Sequence, residues 1–174
     1  MNAILILITG LNVLIGWYVL QKNPRKAPNW VFACSAASVA LWVLGIFFAH
    51  NEPWAHTILA RLPFVCGSLI PFALLVLTKV LFQGSQFWWE WDLLIFGVLC
   101  GFVTLLSFTP LIGRSVSLVP SGIQWSYGPL YPFFAVYFFT CFVYGFVILI
   151  WQYQHSSGLV KLQLRYLILG IVVP

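Results

Sequence analysis

Long apolar runs separated by short polar turns constrain this chain more than any other feature. The runs cover residues 3–20, 30–49, 57–82, 92–109 and 131–151, with a shorter stretch at 166–174. A bilayer core of about 30 Å takes about 20 helical residues to cross, and five of these runs approach that length. Composition agrees. Of 174 residues, 62% are hydrophobic and 6% are charged, whereas a soluble domain carries about 25% charged residues. That balance excludes a soluble globular domain. It also excludes disorder, which needs low hydrophobicity and high charge. A membrane β-barrel would alternate polarity over segments of about 10 residues, and these runs are continuous. The expected fold is therefore all-α: a polytopic transmembrane helical bundle in one domain over 1–174. It has five complete spans and the start of a sixth, so the chain reads as incomplete at its C-terminus.

The net charge of +5 is a poor nucleic-acid signal, because the charges sit between apolar blocks instead of forming a basic stripe. No nucleic-acid partner is expected, and the lipid bilayer is. The placement of the charge carries more. Lys22, Arg25 and Lys26 follow the first run, Lys79 ends the third, and Lys161 and Arg165 follow the fifth. These alternate turns share one side and hold six of the eight basic residues; Arg61 and Arg114 fall on the other. Cytoplasmic loops carry the Lys/Arg excess. The bias therefore predicts a multi-pass protein of the cytoplasmic membrane with its N-terminus outside and the 110–130 connection outside.

The turns have their own expectations. Residues 21–29 contain Pro24 and Pro28 and should be non-helical. Pro63 and Pro71 should kink the third helix, freeing carbonyls for neighbouring helices. Phe87, Trp88, Trp89 and Trp91 form an interfacial aromatic belt. Glu90 and Asp92 open the fourth run, where the helix dipole favours acids. Residues 116–119 suit a short strand, Gly122 or Gly128 suits a turn, and Pro132 suits the first turn of the fifth helix. Residues 152–165 form a polar turn.

Groups able to do chemistry are few. Cys34, Cys66, Cys100 and Cys141 lie inside apolar blocks without CxxC spacing and are expected to pack as small apolar residues. His50, Glu52 and His56 share one turn, but their spacing matches no metal pattern and Pro53 makes the turn irregular. His155 sits in a cytoplasmic turn with no phospho-acceptor pattern around it. Arg61 lies about one turn inside an apolar run. It either faces a ligand in the bundle, with Glu52 as its partner, or snorkels to the headgroups. Lys79 is expected to snorkel. Arg114, Gln124, Trp125 and Tyr127 in the outer connection offer an anion-binding and stacking set; Trp125 and Tyr127 would alternatively be interfacial anchors. The Phe134, Tyr137, Phe138, Cys141, Tyr144 face of the fifth run reads as packing. No catalytic residue, metal or cofactor is expected. Composition and spacing alone stop at a multi-span membrane protein with its N-terminus outside; a small polytopic transporter or channel subunit, or a membrane enzyme acting on lipid, are function classes that remain open.

Four patches resemble the N-terminal seven-helix sensor region of bacterial membrane histidine kinases. They are Asn23-Pro24-Arg25 with Asn29, Phe32 and Trp42; Ala60-Arg61-Leu62 through Ile70-Pro71-Phe72; Tyr127-Gly128-Pro129-Leu130-Tyr131 with Phe134 and Tyr137; and Lys161-Leu162-Gln163-Leu164-Arg165-Tyr166 with Gly170. They fall in order and cover most of the chain. The resemblance implies the sensory module of a two-component system. A small-molecule or envelope signal would be sensed outside and relayed to a cytoplasmic kinase, with homodimerisation through cytoplasmic domains that this chain does not contain. Arg61, Arg114, Gln124, Trp125 and Tyr127 are the candidate ligand-binding residues.

Overall fold

The computed structural model describes residues 2–51, 61–83, 91–119, 122–158, 161–162 and 164–165. Among the described residues, five helices and one hairpin follow in chain order: α1 (Asn2–Lys22), α2 (Ala27–Asn51), α3 (Leu62–Gln83), α4 (Trp91–Ser107), β1 (Gly113–Val119), β2 (Gly122–Tyr127) and α5 (Tyr131–His155). Helices α1, α2, α3 and α5 are long and apolar enough to cross a membrane. With 17 residues, α4 is about 25 Å long, short of the about 30 Å hydrocarbon core. The stretch at 166–174 lies outside the described residues.

Helix α3 is the centre of the bundle and packs against α2, α4 and α5, while α1 packs on α2. Burial follows: Leu75 and Thr78 of α3 are fully buried, whereas Leu14 of α1 is 64% exposed. Close approaches occur where side chains are small. A Cβ on Gly16 would stand 3.2 Å from that of Ala36, and one on Gly145 would stand 3.6 Å from the Leu75 Cα. Small residues let membrane helices pack by dispersion where the hydrophobic drive between them is weak.

Polar residues inside these helices bond to their own backbone. The hydroxyls of Thr9, Ser35, Thr78 and Ser107 donate to the carbonyls of Leu5, Val31, Leu75 and Val103 at 2.8–2.9 Å. In lipid an unpaired polar group costs several kcal/mol, so hydroxyls that can fold back are the tolerated kind.

The expected boundaries need several corrections. The first connection is tighter than 21–29: α1 runs to Lys22 and α2 starts at Ala27. Pro28 occupies the first helical turn, where its missing N–H is no loss. Asn23 organises the turn, accepting the Arg25 N–H on its side-chain oxygen at 3.2 Å and the Asn29 amide on its carbonyl at 2.9 Å. The described part of α3 begins at Leu62, so Pro63 is also in a first turn and breaks no helical bond. Only Pro71 lies inside the helix, where it leaves the Gly67 carbonyl without its usual donor. Helix α5 continues past 151 to His155, Gly158 takes a positive φ of 63°, and Lys161, Leu162, Leu164 and Arg165 are already helical, so the polar turn expected over 152–165 is much shorter.

The connection between α4 and α5 forms more strand than 116–119. β1 and β2 pair antiparallel, with Val116 opposite Trp125 and Ser117 opposite Gln124. The register slips between Gly113 and Ser115, leaving Arg114 at a bulge. Gly122 pairs in the ladder with Val119 instead of making a turn. Gly128 closes the base: its N–H donates to the Ile112 carbonyl at 2.8 Å, and Leu130 N–H to that of Leu111 at 2.9 Å. A Cβ on Gly128 would collide with the Leu111 carbonyl, so this position needs glycine.

Candidate ligand cavity

Phe64 follows Pro63 at the start of α3, where the chain enters the bundle beside the hairpin. Four rings meet it edge-to-face: Trp125, Tyr127, Tyr131 and Phe134, with centroids 5.6–6.3 Å away. Edge-to-face pairs gain about 0.5–1.5 kcal/mol each beyond area burial, so this cluster ties the hairpin to α3 and α5. Gly113 makes room, since a Cβ there would lie 2.6 Å from the Phe64 ring. Tyr127 and Tyr131 lie closer still to one another, at 4.1 Å.

Beside this cluster is a cavity of about 530 Å³. Its walls include Trp42 and Ile46 of α2, Phe64 and Gly67 of α3, Trp125 and Tyr127 of β2, and Tyr131, Phe134 and Phe138 of α5. Pockets of about 300–1,000 Å³ with mostly apolar, aromatic walls are typical of small-molecule sites. The polar side-chain groups on these walls are the tyrosine hydroxyls and the indole N–H groups of Trp42 and Trp125.

The sequence candidates divide. Trp125 and Tyr127 line this cavity; Arg61, Arg114 and Gln124 do not. Arg114 and Gln124 are exposed on the hairpin. Arg61 donates from Nη1 to the Phe108 carbonyl at 2.7 Å, joining the start of α3 to the end of α4. Its Nε has no partner among the described residues. Glu52, its expected partner, lies outside the described residues, as does His56, so the turn they were expected to share with His50 is not described. The same holds for Phe87, Trp88, Trp89 and Glu90; Trp91 is 79% exposed.

Sequence reading missed Phe64, because nothing marks it among 16 phenylalanines. The α5 face is indeed packing at Phe134, Tyr137 and Cys141, which are buried, but Phe134 and Phe138 also wall the cavity.

Below the cavity the Ser68 carbonyl, next to the one Pro71 leaves undonated, accepts the Tyr137 hydroxyl at 2.9 Å and the Cys100 thiol at 3.5 Å. The Ser68 hydroxyl pairs with that of Thr104 at 2.7 Å. One turn of α3 thus holds α4 and α5 together through polar contacts. Cys66, Cys100 and Cys141 are buried as expected, but Cys34 is exposed, on the wall of an open groove between α2 and α3.

At the opposite end of α3, Lys79 does not snorkel. It is 5% exposed, and its ammonium meets Asp92 of α4 at 2.5 Å. The same carboxylate oxygen accepts the Tyr144 hydroxyl of α5 at 2.7 Å, and its other oxygen accepts the Leu93 N–H at 2.8 Å. Tyr144 stacks on Phe96 at 5.2 Å. An ion pair is cheaper than a lone charge in this setting, which explains why a lysine can lie buried here.

Fold and site together define a multi-helix membrane protein with a ligand-sized cavity at one end of its bundle. The family described as the N-terminal 7TM region of histidine kinase matches residues 4–174. The chain belongs to that family. No curated protein matches it, and no solved structure does.

Proposed function

We propose that this chain is the sensory input module of a two-component histidine kinase, taking an apolar, ring-bearing small molecule into the Phe64 cavity. The cavity itself carries the proposal: about 530 Å³, walled by aromatic rings from α2, α3, α5 and the hairpin. The charge bias supports a cytoplasmic-membrane protein with the N-terminus and hairpin outside, so the ligand would arrive from the envelope. Trp125 and Tyr127 would stack on it. Arg61, Arg114 and Gln124 would act at the approach to the cavity, drawing a polar or anionic part of the ligand.

Occupancy would be relayed along α3. Phe64 touches the cavity, Ser68 links α4 and α5, and Lys79, one turn before the end of the helix, lies about 22 Å beyond Phe64 at 1.5 Å per residue. A ligand shifts such an equilibrium only through contacts that differ between states, and a hairpin held by ring stacking is a surface where they can differ. The signal would reach a cytoplasmic kinase acting as a homodimer.

A transporter or channel subunit would need a polar path through the bundle. The Ser68, Cys100, Thr104 and Tyr137 side chains instead bond to one another and to backbone, which favours the sensor.

The test is autophosphorylation of the intact kinase carrying this module in native-like membranes. Ala135, beside Phe134, also lines the cavity; Ala135→Trp, which fills it, and Trp125→Ala, which opens it, should both move the output severalfold from the parent level. Parental output from both variants, with normal membrane levels, would refute the site.

A further inference from the structure

A second cavity of about 620 Å³ lies toward the other end of the bundle. Its walls are apolar, with Trp30, Val31 and Cys34 from α2 facing Phe72 and Val76 from α3, and Arg25 stands at the rim beside Pro24. From Ala27 at the mouth to Ser38 at the deep end is about 16 Å along α2 at 1.5 Å per residue. Half of a bilayer's hydrocarbon core is about 15 Å. The groove is therefore as deep as one leaflet of acyl chains.

Its mouth is chemically one-sided. Arg25 lines it, Lys22 and Lys26 are exposed on either side of the same short connection, and the first 51 residues contain no Asp or Glu. The rim is also held in place. The Arg25 N–H donates to Asn23, and the Trp30 indole N–H donates to the Pro24 carbonyl at 2.6 Å. The indole of Trp30, half exposed beside these cations, sits where such rings favour the headgroup layer.

We propose that this groove is a binding site for one anionic phospholipid. Its phosphate meets Arg25 and the neighbouring lysines, and one acyl chain lies between α2 and α3. A zwitterionic lipid offers the same chain without the net charge, so headgroup charge is the discriminating chemistry. The site is independent of the signal read beside Phe64.

Native mass spectrometry of the purified protein in detergent tests it, using phosphatidylglycerol and phosphatidylcholine with identical chains. Phosphatidylglycerol should be retained about fivefold or more over phosphatidylcholine, the ratio expected from about one basic residue's worth of attraction to an anionic headgroup. The Arg25→Gln/Lys26→Gln pair should bring the two lipids level. Cys34→Trp, a change at an exposed position that fills the groove, should reduce both. Equal retention of the two lipids by the parent protein would overturn the proposal. So would a phosphatidylglycerol preference unchanged in the charge variant, or lipid retention unchanged in Cys34→Trp. Circular dichroism of each variant checks that the helices are kept.

Discussion

Lys79 and Asp92 lie 13 residues apart in sequence and on different helices, yet they meet as an ion pair with Tyr144 as a third partner. Removing one partner of a buried pair typically costs about 3–5 kcal/mol, because the other charge is left uncompensated. Asp92 is 27% exposed, which lowers the expected cost of Lys79→Met or Asp92→Asn to about 2 kcal/mol by solvent screening. The double change Lys79→Met/Asp92→Asn should recover most of that loss. Thermal unfolding in detergent reads the cycle, and additive losses would show that the charges do not interact. None of this was legible from sequence. The rule that lysines near helix ends snorkel describes a lone side chain, and the pairing depends on how α3 and α4 pack across residues 84–90. Conversely, the membrane environment was legible from single residues, because 11 charges are too few to clothe a soluble domain. The cysteines divide similarly: burial of three followed from their apolar surroundings, but the exposure of Cys34 depends on how closely α2 and α3 approach at that level.

At the scale of elements, hydropathy found every described helix, with boundaries shifted by a few residues where proline was overweighted. Pro28 and Pro63 both sit in first turns, where proline is well suited, so neither ends or kinks its helix. Only Pro71 perturbs α3, and the neighbouring Ser68 carbonyl takes a hydroxyl and a thiol from two other helices. The hairpin was only partly foreseen, since a strand at 116–119 says nothing of its partner or of the bulge at Arg114. Its attachment rests on Phe64 and on the base bonds at Gly128 and Leu130. Phe64→Ala should therefore cost about 3–5 kcal/mol, as for large-to-small core aromatic changes. It should also make hairpin amides exchange faster with deuterium while those of α1 keep the parent rate. Uniform loss of protection across all helices, with none specific to the hairpin, would contradict the role given to Phe64. The candidate site was legible to the same extent: Trp125 and Tyr127 stood out as aromatic residues in the longest connection and do line the cavity. Arg61 stood out as a charge in an apolar run, and its observed partner, the Phe108 carbonyl, is a backbone group that no side-chain pattern reveals.

At the scale of the whole molecule, the bundle has two unlike ends. One carries the hairpin and its ring-walled cavity. The other carries the basic turns, the lipid-sized groove and the Lys79–Asp92–Tyr144 contacts. The sidedness proposed from charge placement makes the first end the signal-receiving face and the second the face toward the kinase. Cysteine accessibility in living cells tests this most directly, in a background where the exposed Cys34 is replaced by Ala. Ser126→Cys, exposed on the hairpin, should react with a membrane-impermeant maleimide on intact cells. Gln154→Cys, exposed at the end of α5, should react only after permeabilisation. The reverse pattern, with position 154 labelled on intact cells and position 126 protected, would contradict the orientation and with it the outward-facing cavity.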